Sequence, residues 1–349
     1  MAQSKTELMK RRVLLIDLGP QFGGIGTYLV SLADLLASDV DLYVLCVLPE
    51  LSTRLASSGA RVTRLPVFCG KFKPLRFVAT LTVVPLLLLR YRIHTVQLNG
   101  FLDSVLILPA RLLGRSAVYT RHGGFEIELY SWLRQPHKFL ARKTARWSVR
   151  PVLPATRYSV IVNWISGQKP LRPPLADLSS RARVLCTSRI EHYKGIHLLI
   201  EAARRLPQVE VTIAGDGSAR AALEKSALDV PNVCFVGFQQ NLDEFYERAD
   251  IFVMPSLGPE GLPMSSLEAM AHGLPCVFSD LPVHHEITDG GKGAYLFRSG
   301  EVESLVTALR ELLASPEKRS RYAAEAHRIV AARYKEGNVR EAYLRVLAG

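Results

Sequence analysis

Several features that would assign this chain to other classes of protein are missing from its sequence. The most apolar uncharged run, residues 77–89, contains Pro85 and falls short of the roughly 20 apolar residues that a membrane-spanning helix needs. The basic residues 1–12 are followed by no apolar segment, so we expect no signal peptide. The five cysteines are dispersed and form no C-x-x-C pair, which favours reduced thiols in a cytoplasmic protein.

The Gly-x-Gly-x-x-Gly fingerprint of dinucleotide-binding enzymes is absent as well. A glycine-rich loop, 19–26, follows a predicted strand at 13–16 and precedes a predicted helix, which is an arrangement that can cradle a phosphate. Its glycine spacing differs from the fingerprint, and Asp17 precedes the loop instead of following it by about 20 residues. Both differences argue against a nicotinamide-dependent oxidoreductase. That class stays an alternative, which a test of cofactor binding would decide.

Acidic residues are scarce in the first half of the chain. Residues 1–165 hold 22 Lys and Arg against 9 Asp and Glu, a net charge of +13, whereas 166–349 hold 22 against 23, a net charge of −1. This excess favours an anionic partner, either a membrane surface, a phosphorylated acceptor or nucleic acid, or it serves solubility alone. Trp132, Trp147 and Trp164 are too dispersed to form a stacking platform, so we expect no nucleic-acid partner.

Short β-branched and aromatic runs alternate with longer segments of helical periodicity along the whole chain. This alternation predicts two Rossmann-like α/β domains, each with a parallel sheet, and 349 residues suffice for both. A polar, proline-rich linker begins at residue 166, which places the domains at 1–165 and 166–330 and leaves a C-terminal helix at 331–349. Continuous helices are also predicted at 137–150, which is strongly basic, and at 316–347.

One stretch, 251–275, combines a strand, a loop and a helix in a way that suits a ligand. The apolar run 251–254 predicts a buried strand, and a polar loop follows at 256–261. Pro263 stands at a first helical position and Gly273 just past the last, so a helix is predicted over 263–272.

The N-terminus of that helix should offer free N–H groups of Leu262, Met264 and Ser265 to an anion. Glu260 and Glu268 flank this end, and a carboxylate accepts hydrogen bonds from hydroxyl groups. Donors for phosphate beside acceptors for hydroxyls suggest a ligand that is both a phosphate and a sugar. The alternative is an ordinary strand–loop–helix turn in which both acids are solvated.

A second pair of candidates, Arg189 and Lys194, flanks the turn after a predicted strand at 184–187. A planar guanidinium and a point charge five residues apart can hold one diphosphate between them. The alternative is a pair of ordinary surface cations.

The spacing E-x7-E, followed by A-M-A-H-G-L-P-C-V, resembles the signature of the retaining glycosyltransferases of family four, which have the GT-B fold. The pattern R-x4-K-G is similar to the diphosphate clamp of that family. The resemblance implies two Rossmann-like domains that face each other across a cleft, with the last helix crossing back to the first domain. It also implies transfer of a sugar from a nucleotide-diphosphate sugar to an acceptor hydroxyl with retention of configuration.

The resemblance carries over a set of site residues. Those with a catalytic role are His122, Arg189, Lys194 and Glu260. Those that bind the donor are Gly23, Gly24, Phe238, Gly261, Leu262, Pro263, Met264 and Glu268. Phe238 could equally be a core residue, and no nucleophile is assigned.

We expect no metal and no cofactor. The D-x-D motif at Asp39 and Asp41 lies where a helix passes into a strand, before any active-site loop, so we interpret it as structural. The expected acceptor is a saccharide or a lipid-linked molecule in the synthesis of cell-surface polysaccharide or glycolipid. The basic segment 138–150 and the apolar segment 77–89 lead us to expect a cytoplasmic protein that can dock on an anionic membrane surface.

Overall fold

The computed structural model divides the chain into two compact units. The first comprises Met1–Ile161 together with Val339–Gly349, and the second comprises Val162–Asn338. The described residues are 10–19, 24–65, 73–99, 110, 112–120, 147–148, 164–165, 169–171, 182–258 and 260–348. No helix among them is long and apolar enough to cross a membrane.

The first unit is built on a six-stranded parallel sheet with the strand order β3-β2-β1-β4-β5-β6. Its strands and described helices are β1 (Arg11–Asp17), α1 (Gly24–Leu36), β2 (Val40–Cys46), α2 (Pro49–Ser57), β3 (Arg61–Arg64), α3 (Lys73–Arg90), β4 (Thr95–Leu98), β5 (Ser116–Tyr119) and β6 (Trp147–Ser148).

The second unit holds another six-stranded parallel sheet, with the order β12-β11-β10-β7-β8-β9. The elements from here to the end of the chain are β7 (Ala182–Thr187), α4 (Ile196–Arg204), β8 (Val209–Ala214), α5 (Arg220–Ser226), β9 (Val233–Gly237), α6 (Asp243–Arg248), β10 (Ile251–Met254), α7 (Met264–Ala271), β11 (Cys276–Ser279), α8 (Pro282–Ile287), β12 (Tyr295–Phe297), α9 (Val302–Ala314), α10 (Pro316–Arg333) and α11 (Glu336–Ala348).

The two sheets repeat one topology. If the strands of the second sheet are numbered from its own first strand, both sheets have the Rossmann order 3-2-1-4-5-6. In each sheet the order reverses between the first and fourth strands, which are β1 and β4 in one and β7 and β10 in the other. The prediction of two α/β units with parallel sheets is confirmed.

The core of the second unit explains why its strands are apolar on both faces. In β10, Ile251 and Val253 pack with residues of α4 and α9, whereas Phe252 and Met254 pack with residues of α7 and α10. Successive side chains of a strand point to opposite faces, so a parallel sheet covered by helices on both sides needs a continuous apolar run.

The predicted helix at 137–150 is wrong at its C-terminal end. Trp147 and Ser148 form β6, which pairs in parallel with Val118 and Tyr119 of β5. The N–H and C=O groups on the free side of β5 need hydrogen-bond partners. Pairing with β6 provides these partners, whereas a further helical turn at 147–148 would leave them unpaired. The rest of that segment lies outside the described residues, and so does the apolar run 160–163, for which the sequence also predicts a strand.

The predicted helix at 316–347 is also wrong, because the structure has two helices there. Tyr334 and Lys335 separate α10 from α11 and form a short parallel bridge with Ile165, whose N–H donates to the carbonyl oxygen of Tyr334 at 3.1 Å. This contact with a residue far away in sequence competes with the helical hydrogen bonds. Strand β12 was not predicted at all, since three residues give too short a pattern.

The last helix is held in the first unit by an ion pair. Arg340 donates from Nε and Nη2 to the two carboxylate oxygens of Asp39, each at 2.8 Å. Asp41, the other acid of the D-x-D motif, lies 3.9 Å from the guanidinium of Arg12. Both aspartates therefore face arginines, and Asp39 has a structural task in holding α11.

Replacing Arg340 with Gln should lower the free energy of unfolding by about 0.5–1 kcal/mol, because the pair is bidentate but partly exposed to solvent. Urea unfolding checks this. Arg54→Gln is the matched control, because Arg54 pairs with Glu50 one helical turn away and exposed pairs of that kind contribute about 0.3–0.5 kcal/mol. Equal losses in the two variants would contradict a role for Arg340 in holding α11.

Candidate functional site

The candidate site lies at the carboxyl edge of the second sheet, where β7 and β10 are neighbours. Ligands of open α/β sheets bind at such a reversal of strand order. The loop after β7, 188–195, carries the R-x4-K-G pattern, and the loop after β10, 255–263, leads into α7. The topology thus brings together the two stretches that the sequence marked.

Backbone contacts join these two loops. The loop after β7 ends in a 3₁₀ turn, His192–Lys194, and the carbonyl oxygen of Tyr193 accepts the N–H of Leu257 at 2.7 Å. Gly195 follows with φ = +66°, and a Cβ there would overlap the carbonyl oxygen of Pro255. Both the left-handed backbone and the close approach require glycine at this position.

A buried ion pair connects the loops through side chains. Lys194 Nζ lies 2.6 Å from Glu260 Oε1, and the two side chains are only 10% and 8% exposed. Ser256 donates to the same oxygen at 2.6 Å, whereas Glu260 Oε2 has no donor among the described residues. The site thus contains a fixed ammonium group and a carboxylate with one oxygen left to accept a hydrogen bond.

Arg189 lies on the solvent side of this pair. It donates from Nη2 to the hydroxyl of Tyr193 at 2.8 Å, and Lys194 Nζ lies 5.4 Å from the centre of the Tyr193 ring. Arg189 forms no ion pair with any carboxylate that the structure describes. Tyr193 thus contacts both cations.

Helix α7 begins one residue later than the sequence predicts. Pro263 has φ = −72° and ψ = 103°, and this extended ψ excludes it from the first helical turn, so Pro263 is the N-cap. Its carbonyl oxygen accepts the N–H of Ser266 at 3.1 Å. In the described chain the N–H groups of Leu262, Met264 and Ser265 have no acceptor. The open space at Gly261 leaves room for a ligand in front of them.

Glu268 lies one turn further along α7. The hydroxyl of the buried Tyr246 donates to Glu268 Oε2 at 2.8 Å, and the same hydroxyl lies 3.0 Å from Thr187 Oγ1 at the end of β7. Burial raises the pKa of Glu268, and the Tyr246 hydrogen bond opposes that shift. This carboxyl is therefore fixed in orientation beside the carboxyl end of β7.

The other predicted site residues are less closely joined to this group. Phe238 follows β9 and is 72% exposed, so it is not a core residue. Gly24 is the first residue of α1. Gly23 and His122 lie outside the described residues. No group of three His, Cys, Asp or Glu side chains in the described ranges is arranged to hold a metal ion.

Two family models and a solved structure match this chain. The model of "Glycosyltransferase Family 4" matches residues 22–162, and that of "Glycosyl transferases group 1" matches residues 169–328. The crystal structure of Anabaena Alr3699/HepE in complex with UDP is similar at a TM-score of 0.78 and 20% identity, covering 97% of this chain and 99% of that one. The chain has the fold and domain composition of a GT-B glycosyltransferase. These matches give no support to the nicotinamide-dependent oxidoreductase.

Curated relatives of this GT-B chain are similar over shorter stretches. The lipopolysaccharide core biosynthesis glycosyltransferase LpsE of Rhizobium meliloti is 32% identical over 168 residues, which are 47% of this chain and 49% of that protein. The sulfoquinovosyl transferase SQD2 of Arabidopsis thaliana is 38% identical over 141 residues, 39% of this chain and 27% of that protein. The chain thus spans half or less of the length of these relatives.

A buried histidine near this site was not indicated by the sequence. His284, at the start of α8 beside the end of β11, is fully buried; its Nδ1 lies 2.7 Å from the carbonyl oxygen of Ser279, and its Nε2 has no partner among the described residues. Burial lowers the pKa of His284, and the charges of Glu260 and Lys194 act on it in opposite directions. Its position at the carboxyl end of a strand was the one available signal.

His284 should make stability depend on pH. Its pKa is lower in the folded than in the unfolded chain, so the folded state loses stability as the pH falls below about 6.5, at up to about 1.4 kcal/mol per pH unit. In His284→Asn, an amide keeps a donor near Ser279 but does not titrate. Urea unfolding at pH 7.5 and 5.5 should show a smaller loss in the variant. An equal loss in both proteins would show that other groups cause it.

Proposed function

We propose that this chain is a retaining glycosyltransferase that moves a sugar from a nucleotide-diphosphate sugar to an acceptor hydroxyl. The observation that carries the proposal is the buried pair of Lys194 and Glu260 beside the N-terminus of α7. Burying two charges costs free energy that their attraction offsets only in part, so such a pair is poorly explained by stability alone. A ligand with a diphosphate and hydroxyl groups uses both partners.

The leaving diphosphate is held by positive charge from three directions. Arg189 provides a planar fork, Lys194 a point charge with protons beyond the one that faces Glu260, and α7 its free N–H groups. Negative charge grows on the diphosphate as the bond to the sugar breaks. These fixed donors stabilise that charge electrostatically, which is the largest contribution in many enzymes.

The remaining groups select and orient the donor. Glu260 Oε2 accepts a hydrogen bond from a sugar hydroxyl, and Glu268, fixed by Tyr246, accepts one from the ribose. Phe238 offers an exposed ring to the base. Gly23 and Gly24 belong to the donor-binding residues, and His122 acts near the sugar and the acceptor.

We further propose that the reaction proceeds on one face of the sugar through an oxocarbenium-like state, with the leaving phosphate taking the acceptor proton. The charges of Arg189, Lys194 and α7 provide what a divalent metal provides elsewhere, so no metal or cofactor takes part. The structures of Alr3699/HepE contain UDP and UDP-glucose, so we expect a donor of that kind. LpsE is a lipopolysaccharide core biosynthesis glycosyltransferase, so we expect a saccharide or lipid-linked acceptor. A cytoplasmic location suits both substrates.

Lys194→Met should weaken binding of UDP about tenfold or more, because a charge-assisted hydrogen bond contributes about 1.5–3 kcal/mol. Glu260→Gln should leave the affinity for UDP unchanged or higher, yet lower that for the nucleotide-sugar. Lys225→Met, in the exposed last turn of α5, is the control. Calorimetric titration of folded variants measures all three, and an unchanged affinity of Lys194→Met for UDP would refute the clamp.

Transfer should continue in excess chelator, and the new glycosidic bond should keep the anomeric configuration of the donor. Proton NMR of the product reports both, since the anomeric coupling constant gives the configuration and the signal area gives the yield. Loss of transfer in chelator that magnesium or manganese restores would contradict the metal-free reaction. An inverted anomer would contradict retention.

A further inference from the structure

Exposed leucines occupy one end of the first sheet. In α3, Leu87 and Leu88 are buried, but Leu86 and Leu89, three residues apart on one face, are 65% and 57% exposed. Leu112, before β5, is 78% exposed. Single exposed leucines are common on soluble proteins, but a group of them in one region marks a surface that binds something.

The strand pairing brings these leucines to the same edge. Helix α3 ends just before β4, and Leu112 lies just before β5. These two strands are neighbours that begin in register, with Thr95 opposite Ser116, and the N–H of Ser116 donates to the carbonyl oxygen of His94 at 3.0 Å. The end of α3 and the turn at Leu112 therefore lie side by side at the amino edge of the sheet.

Arginines lie close to these leucines along the chain. Arg90 and Arg92 are exposed at the end of α3, and Arg115 immediately precedes β5. None of the three forms an ion pair with a carboxylate in the described ranges. The pKa of His94 at the same edge is lowered by its burial and then by Arg11, Arg12 and Arg115, which shows how the positive charges converge there.

We propose that this leucine–arginine surface, formed by Leu86, Leu89, Leu112, Arg90, Arg92 and Arg115, docks on an anionic lipid bilayer. Leucines enter the apolar boundary of the bilayer while arginines beside them contact the headgroups. A second copy of the chain is a poor occupant, because a symmetric dimer through this surface would set arginines against arginines. The inference rests on the proposed function in that a lipid-linked acceptor would lie in the bilayer on which the enzyme docks.

Co-sedimentation with vesicles tests the docking. The full chain should bind vesicles of phosphatidylcholine mixed with phosphatidylglycerol, and should bind more weakly to phosphatidylcholine alone and at higher salt. Changing Leu86, Leu89 and Leu112 together to Gln should lower the partition coefficient at least about tenfold, since each buried leucine contributes to insertion. Leu228→Gln is the control, because Leu228 is 84% exposed in the second unit.

A second variant separates charge from apolar contact. Arg90→Gln with Arg92→Asn should abolish the preference for anionic vesicles. Asn suits position 92, where φ is +49°. The docking surface is refuted if the wild type does not bind anionic vesicles, or if the triple leucine variant binds them as well as the wild type does. It is also refuted if the wild type is a dimer in solution and the triple leucine variant is a monomer.

Binding of UDP, measured on the same samples, separates this inference from the proposed function. UDP binding without vesicle binding would overturn the docking surface and leave the glycosyltransferase proposal standing. Vesicle binding without UDP binding would overturn the glycosyltransferase proposal and leave the docking surface standing. The triple leucine variant should bind UDP as the wild type does, because its changes lie in the first unit, at the edge of the sheet opposite the loops that follow its strands.

Discussion

The ion pair between Lys194 and Glu260 is the interaction on which the rest of the candidate site depends. It joins the loop after β7 to the loop after β10 across the reversal in strand order. Arg189 is positioned relative to it through Tyr193, and α7 begins four residues beyond Glu260. The pair thus sets where positive charge, free N–H groups and an accepting carboxylate meet.

The second sheet could be predicted closely because its strands carry their own signal. The runs 209–214, 251–254 and 276–279 are apolar and rich in β-branched or aromatic residues, and the structure has strands with those bounds. The candidate residues on the loops after β7 and β10 followed from motif spacing. Local patterns were sufficient wherever local propensity and tertiary packing favour the same structure.

What could not be predicted depends on contacts between distant residues. Lys194 and Glu260 are 66 positions apart, and no pattern states that their side chains touch. The break between α10 and α11 likewise arises from the pairing of Lys335 with Ile165. In each case the determining partner is remote in sequence, so a window of neighbouring residues contains no trace of it.

The contact at Gly195 has a consequence for how donor preference can change. The two loops meet there backbone to backbone, so the width of the site does not depend on which side chains line it. In the proposed glycosyltransferase, exchanges at positions such as 238, 257 and 261 would reshape the space for the base or the sugar while the contact between the two loops is kept. Few substitutions would then adapt the site to a different nucleotide-sugar, provided that position 195 stays glycine.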